Sequence, residues 1–487
     1  MTSQPSILWF RRDLRFEDHP ALAKAARRGP VLALFVLDPA LMRPAGLPRQ
    51  AFLLRTLRHM DQRLRALGAS LAVVSGRPEE VVPEIASRVG AAEVHVSADF
   101  APYGSARDQR VAEALGPVPL VATGSPYAVS PPRLLTTAGQ PYKVFSPFFR
   151  AWRQHGWPDP AASDPGLVEW VTTPSESIPD EPMLPSGMVL PRAGEAPALH
   201  AWETFRDEHL AEYAARRDRP DLHATSRLSA YFHFGVLHPR TLLSALGPED
   251  ERYMTELAWR EFYASVLWSW PQSAHANFDA RMSGLRVEEG PEAEMAFEAW
   301  CQGRTGYPII AAGMRQLQAE AWMHNRVRML VASFLVKDLP LDWRWAPGTS
   351  CAISLMETSP ATSTAGSGPR VPAPMPPRIS VFSTRSPSPS ASTPRATTSV
   401  VGSLSFAAFL RRTYTNPGGH PTPTVTSTRS SITTSRENAV SRPTKTCGGA
   451  AAPHRLTPSQ ADRSTEDGGE SERHTSFCLA EGGRLDQ

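Results

Sequence analysis

Three stretches of this chain carry side chains that can do chemistry at helical spacing. The first is ELAWREFY, residues 256–263. Positions i, i+3, i+4 and i+7 share one helix face, so Glu256, Trp259, Arg260 and Tyr263 stand together. An acid, an indole and a guanidinium side by side form a stacking platform with a hydrogen-bond acceptor next to it. Such a surface suits a base turned out of a strand; a buried tryptophan beside an exposed ion pair is the structural alternative. The second stretch ends at Met329, where Asn325, Arg328 and Met329 fall at i, i+3 and i+4. An amide, a cation and a thioether on one patch suit a flat ligand that is partly anionic and partly apolar. The third is Thr225-Ser226-Arg227-Leu228-Ser229. Hydroxyls around an arginine at the mouth of a helix offer a diphosphate N–H groups, Oγ donors and charge together. The same residue types also serve as an ordinary helix cap.

These residues need elements to hold them. Short apolar runs at Ser6–Phe10, Val31–Leu37, Ser70–Val74 and Glu93–Val96 alternate with helical patterns at Ala21–Arg28, Leu53–Leu67 and Pro78–Val89. That alternation predicts a Rossmann-like α/β domain with a parallel sheet over residues 1–130. Ligands of such sheets sit beyond the carboxyl ends of the strands, where Arg11, Arg12, Asp13 and Asp38 fall. A local salt-bridge cluster is the other reading of Arg11, Arg12 and Asp13. No GxGxxG or Walker motif is present, so a standard dinucleotide site is not expected in this domain. Residues 131–195 are proline-rich and read as a connecting segment, with GQPYKVFSPFF at 139–149 aromatic enough to be packed. Helical patterns follow at His200–Tyr213, Pro239–Leu246, Glu251–Trp268, Glu294–Gln302 and Met314–Val336. They predict an all-α domain over 196–345.

Composition narrows the class. The 487 residues carry a formal net charge of +3, which alone does not announce a nucleic-acid binder. The basic residues are almost all arginine, with lysine only at Lys24, Lys143, Lys337 and Lys445. The cysteines Cys301, Cys351, Cys447 and Cys478 have no metal-ligand spacing, so no metal is expected. Charges follow directly on a short apolar run at the start, and no run approaches the ~18 residues of a spanning helix. A soluble, cytoplasmic protein is expected.

Together the motifs resemble one family, the DNA photolyases and cryptochromes, and most of all the class I cyclobutane pyrimidine dimer (deoxyribodipyrimidine) photolyases. The matching residues are WFRRDLR at 9–15, LDP at 37–39, PYKVFSPF at 141–148, RDRP at 217–220 and TSRLS at 225–229. They continue with WREFY at 259–263, TGYP at 305–308, MRQL at 314–317, WMHNRVRM at 322–329 and ASFLVKDL at 332–339. The resemblance implies an α/β domain able to hold an antenna chromophore (folate, deazaflavin or flavin) and a helical domain holding FAD. It implies that Tyr213, Thr225, Ser226, Arg227, Leu228 and Ser229 cradle the FAD, with Asn325 and Arg328 beside it. It implies a face for damaged DNA built from Arg217, Glu256, Trp259, Arg260, Tyr263 and Asn325, with Met329 against the flipped dimer. The activity implied is a lyase reaction in which photoexcited reduced flavin lends an electron to the dimer. Glu256, Trp259, Asn325, Met329 and Trp343 are the implied catalytic residues. Trp343 matches the middle of the family's tryptophan relay, whereas VEEGPEAEMAF at 287–297 lacks the outer tryptophan. A monomer acting on damaged DNA, with no membrane partner, is expected.

The resemblance stops after Trp345. All twelve tryptophans lie at or before that position, and residues 346–487 contain 60 Ser, Thr and Pro among 142 residues. Such a composition predicts a disordered tail. A shifted reading frame explains it. Offsetting the codons by one base lets Thr349–Thr358 encode Phe-Met-Arg-His-Leu-Ala-Asp-Gly-Asp. Pro360–Gly368 then encodes Ser-Asn-Ile-Asn-Gly-Trp-Gln-Trp, and both are family motifs in family order. Two further readings compete with repair: an inactive remnant unable to hold FAD, and a cryptochrome-like blue-light sensor signalling through the tail.

Overall fold

The apolar runs build the sheet expected of them. In the computed structural model, which describes residues 4–279, 283–284 and 286–346, the strands are β1 (Ser6–Phe10), β2 (Val31–Leu37), β3 (Ala72–Ser75), β4 (Glu93–Val96), β5 (Leu120–Ala122) and β6 (Trp170–Val171). All pair in parallel, in the order β3-β2-β1-β4-β5, with β6 added alongside β2. Every residue of β1 and β2 is buried, as continuous apolar strands must be when helices cover both sheet faces. The covering helices are α1 (Pro20–Ala26), α2 (Pro39–Met42), α3 (Leu47–Ala66), α4 (Pro78–Val89) and α5 (Pro102–Ala114). The chain runs β1 to β3 in one direction and returns to place β4 on the other side of β1. The carboxyl ends of β1 and β4 therefore flank the topological switch point.

The connecting segment holds more structure than its prolines suggest. It forms α6 (Phe145–His155), whose Phe145, Phe148 and Trp152 are buried, and it contributes β6 to the sheet. Phe145 and Phe148 close onto Phe262 at 5.8 and 5.3 Å, so this arm belongs to the main core.

The helical region comprises α7 (Glu195–Glu208), α8 (Tyr213–Arg216), α9 (Ser229–His233), α10 (Pro239–Leu243), α11 (Glu251–Ser269), α12 (Pro291–Cys301), α13 (Pro308–Glu320) and α14 (Asn325–Lys337). The single helix expected over Met314–Val336 is two. Ala321 is buried in the left-handed region at φ 50° and ends α13. His324 then caps α14 by accepting the Arg326 N–H at 3.1 Å. The apolar period continues across the break, which is why it reads as one helix. A Cβ at Gly313 would lie 2.4 Å from Val327 Cγ1, so glycine is what lets α13 and α14 cross closely.

The FRRDLR stretch after β1 docks onto the helical region. Arg12 Nε donates to the His233 carbonyl at 3.3 Å, Leu14 N–H to Phe234 at 3.2 Å and Arg15 to Gly235 at 3.0 Å. A Cβ at Gly235, φ +65°, would lie 1.8 Å from the Arg12 carbonyl oxygen. Asp18 sits buried at the centre of this junction. It takes Arg240 at 2.6 Å, the Ala161 N–H at 2.7 Å and the Thr241 hydroxyl at 3.3 Å.

The described residues all fall within one compact unit, 1–385. The expected disordered tail and its shifted-frame motifs lie outside the described residues. Among the described residues no helix is long and apolar enough to cross a membrane, and no cluster of His, Cys, Asp or Glu is placed to hold a metal.

Candidate functional site

The TSRLS turn sits immediately before α9. Arg227 occupies the left-handed region at φ 54°, which turns its guanidinium onto the α13–α14 junction. There it pairs with Glu320 and lies 4.3 Å from the Trp322 ring centre. Leu228 is buried and anchors the turn in the core. Thr225, Ser226 and Ser229 are half-buried. The Ser226 hydroxyl accepts from Tyr253 at 3.0 Å. The Ser229 hydroxyl is shielded from solvent and meets no hydrogen-bond partner, a state that costs about 1–3 kcal/mol unless a ligand completes it.

A line of contacts runs from this turn to the ELAWREFY helix. Tyr253 packs edge-on against Tyr213 at 5.1 Å, and Arg217 lies 5.6 Å from the Tyr213 ring centre. Arg217 then pairs with the Glu256 carboxylate. Burial works against the Arg217 charge, but Glu256 and Tyr213 more than offset it, so its pKa is raised. Burial likewise raises the pKa of Tyr213 and Tyr253. The next residue, Asp218, binds Arg326 at 2.5 Å, and Arg326 contacts the Met329 sulfur at 3.6 Å. Glu256, Arg217, Asp218, Arg326 and Met329 thus form one continuous patch. Asn325, exposed at the start of α14, is the neighbour of Arg326.

Other expected residues are placed differently. Trp259 is half-buried, with Phe145 stacked on it at 3.6 Å and 5° and Tyr263 beside it at 5.6 Å. Tyr263 is pushed up to about 12 by burial, so it stays a neutral phenol. Arg260, expected on the DNA face, instead donates to the carbonyls of Pro126 at 2.9 Å and Phe232 at 3.3 Å. Its planar fork serves the junction between loop 125–130 and α9. Arg328 is held down to about 10 by burial and by Arg49, which leaves it charged at neutral pH. It lines a small cavity of about 30 Å³ together with Trp343, Trp300 and Met323. Trp343 donates to Asn277 at 2.8 Å.

At the carboxyl ends of the strands, Arg11, Arg12 and Asp13 do not pair with one another through their side chains; Arg12 turns to the His233 carbonyl, and the others find separate partners. Arg11 pairs with Asp108 and lies 4.8 Å from the Trp9 ring centre. Asp38 caps α2 and accepts the Tyr103 hydroxyl, whose pKa is pushed up to about 12 by burial and then by Asp38. Asp13 accepts the Arg11 N–H at 2.7 Å and lies 3.2 Å from His19.

Sequence reasoning missed Arg326, Asp218, Tyr253 and Glu261. Tyr253 stands three residues before Glu256, one helical turn away, which is a readable signal. Arg326 and Asp218 carry none, since their pairing joins segments 108 residues apart. Glu261 is fully buried and accepts from the Trp152 indole at 2.6 Å and from the N–H groups of Ala128 and Val129 at 2.5 and 3.0 Å. Burial raises its pKa.

Known proteins resemble this chain over most of its described residues. A family profile described as DNA photolyase matches residues 6–165, and one described as the FAD binding domain of DNA photolyase matches 253–359. The deoxyribodipyrimidine photo-lyase of Thermus thermophilus is 39% identical over 352 residues, covering 70% of this chain and 78% of that protein. That of Halobacterium salinarum is 37% identical over 371 residues, covering 69% and 76%. Among solved structures, a bacterial class III photolyase from Agrobacterium tumefaciens superposes with a TM-score of 0.68 at 31% identity, over 75% of this chain and 79% of that one. An archaeal photolyase from Sulfolobus tokodaii, solved with two FAD molecules, gives 0.65 at 26% identity, over 75% and 83%.

Proposed function

Because the chain belongs to the DNA photolyase family, we propose that it repairs cyclobutane pyrimidine dimers in DNA in a light-driven lyase reaction dependent on FAD. The observation that carries the reading is the unbroken line of contacts from Ser226 through Tyr253, Tyr213 and Arg217 to Glu256. It ties the turn suited to a diphosphate to the patch suited to a flipped base. Ser226, Arg227, Leu228 and Ser229 hold the FAD, with Thr225, Tyr213, Asn325 and Arg328 around it. Reduced FAD, when bound, supplies the photoexcited electron donor. The orphaned Ser229 hydroxyl and the charged, buried Arg328 fit an anionic cofactor.

The chain's own residues then read the lesion. Glu256 accepts hydrogen bonds from the dimer's N–H groups, and its contact with Arg217 holds the carboxylate aimed. Met329 and Trp259 give apolar contact, and Arg326 and Asn325 meet the strand. A dimer is cheaper to flip than a sound pair because its pairing is already weakened. Trp343, which lines the small cavity with Arg328, is the relay residue of this reading. The second cofactor named for the Sulfolobus tokodaii photolyase makes an antenna flavin at the β1–β4 switch point a natural candidate here. A cytoplasmic monomer completes the reading.

The remaining flavin ligands are assigned to the shifted frame. The relatives match about as much of this chain as residues 6–345 supply, 340 of 487, although the FAD-domain profile extends to 359. Sequencing the coding DNA tests this: an unbroken frame through codon 345, shared with close relatives, removes it.

The functional test is an absorption spectrum of the purified chain followed by repair of a dimer-containing oligonucleotide in blue light. Flavin bands with light-dependent loss of dimer are expected. Flavin without repair moves the chain to the sensor reading, and no flavin with no repair moves it to the remnant.

A further inference from the structure

A second concavity lies beside the proposed lesion site. It is a groove of about 640 Å³ between the loop 136–144 with the start of α6 and the end of α11, lined by Thr136, Gln140, Tyr142, Lys143, Ser269 and Trp270 among others. Its size falls in the range of small-molecule sites, ~300–1,000 Å³. We propose that it is a subsite for one nucleotide flanking the dimer on the same DNA strand, and this inference rests on the repair reading above.

The lining has the parts a nucleotide needs. Trp270 is fixed edge-on by Phe278 at 5.3 Å, and Tyr142 by Phe148 at 6.1 Å, so both rings are pre-set. Lys143 places its ammonium 5.6 Å from the Trp270 ring centre, and no carboxylate pairs with it among the described residues. A phosphate draws that cation off the ring and leaves the indole face to a base. Base–aromatic stacking of this kind is tolerant of sequence, which suits a neighbour that varies from one lesion to the next. Gln140 is exposed and lines the groove, and its amide can bond a base edge or a phosphate.

Position ties the groove to the lesion. Val144 lines it, and the next residue, Phe145, stacks on Trp259 at 3.6 Å. The groove and the Trp259 patch are therefore joined through adjacent residues of one segment. The PYKVFSPF motif gains a reason beyond packing: its Phe145 supports the lesion platform while its Tyr142 and Lys143 face the neighbouring nucleotide.

The test is fluorescence anisotropy with the full chain and a labelled single-stranded oligonucleotide carrying one central thymine dimer. Matching oligonucleotides are trimmed to the dimer on the 5′ or the 3′ side. Trp270→Ala weakens binding of the full oligonucleotide about ten-fold, the order expected for one stacked base. Trp270→Phe stays within about two-fold, because the platform survives. Lys143→Gln weakens it about three-fold and lowers the salt slope by about one ion. On one trimmed oligonucleotide the wild type falls to the Trp270→Ala level and the variants lose nothing further. Two results overturn the subsite: unchanged affinity in both variants, or equal losses on the full and both trimmed oligonucleotides. If the wild type shows no preference for the dimer over undamaged strand, the repair reading falls first and takes the subsite with it.

Discussion

Acid should act on this protein through His238, and the size of the effect follows from its surroundings. The imidazole is 1% exposed. Its Nδ1 lies 3.1 Å from the Arg240 N–H and 3.2 Å from Arg240 Nε, so Nδ1 accepts. Its Nε2 then carries the proton and donates to the Ser125 carbonyl at 2.9 Å. This tautomer is neutral, and a second proton has no acceptor free to take it except Asp18 at 3.3 Å. Burial, followed by the Arg15 and Arg240 charges against the pull of Asp18, lowers the pKa from 6.5 to about 3. The sign follows. Between those values the unfolded chain takes the proton and the folded chain refuses it, so stability is full above pH 6.5 and is lost as pH falls. Each pH unit in that window costs about 1.4 kcal/mol, and from pH 7.5 to pH 5 the loss is about 2 kcal/mol. Asp18, held down to about 2, adds its own loss only below about pH 5.

The perturbation that isolates this is His238→Asn. Asparagine keeps the helix cap on Arg240 N–H but leaves the Ser125 carbonyl unpaired, at a cost of about 1–3 kcal/mol at pH 7.5. It cannot take a proton, so its acid limb is shallower. Urea unfolding followed by tryptophan fluorescence, at half-unit steps from pH 7.5 to 4.5, should show the wild-type advantage shrinking by about 1.4 kcal/mol per pH unit below pH 6 and vanishing near pH 5. All other histidines are common to both proteins and drop out of the difference. Parallel curves across that range would refute the argument, because His238 would then bind protons alike in the folded and unfolded chains.

Glu256→Gln should weaken binding of dimer-containing DNA about 10- to 100-fold, the worth of one hydrogen bond to a charged group, while flavin content stays at the wild-type level. Equal affinity in a binding titration removes Glu256 from the site. Arg326→Ala leaves Asp218 with Arg217 alone, at 3.5 Å, and removes one strand contact. Its salt slope for DNA should fall by about one, uniformly for damaged and undamaged strands, and a loss confined to damaged strands contradicts that role. Gly235→Ala places a Cβ 1.8 Å from the Arg12 carbonyl at a positive φ. It should cost more than about 3 kcal/mol, read as a fall in Tm of many degrees, and a wild-type Tm means the junction is looser than described.

Four of the six strands, and the helix that carries ELAWREFY, were legible in the sequence by itself because each is local. A buried parallel strand is a short unbroken apolar run, and a shared helix face is a spacing of three and four. Ser6–Phe10, Val31–Leu37 and Pro78–Val89 appear in the structure with the bounds the pattern predicts. What the tertiary structure alone decided is where side chains from distant segments meet. Arg260 has the spacing of a DNA contact, yet loop 125–130 and α9 offer carbonyls within its reach and take it inward. FRRDLR reads as a ligand site at a strand end, yet its backbone and arginines fasten the α/β part to the turn at 225–235. The break between α13 and α14 hides under a continuing apolar period, because a left-handed Ala321 and a capping His324 change the direction of the chain without changing its pattern. Asp218 and Arg326 gain their role only by pairing, and pairing across 108 residues is a product of packing that no local spacing encodes.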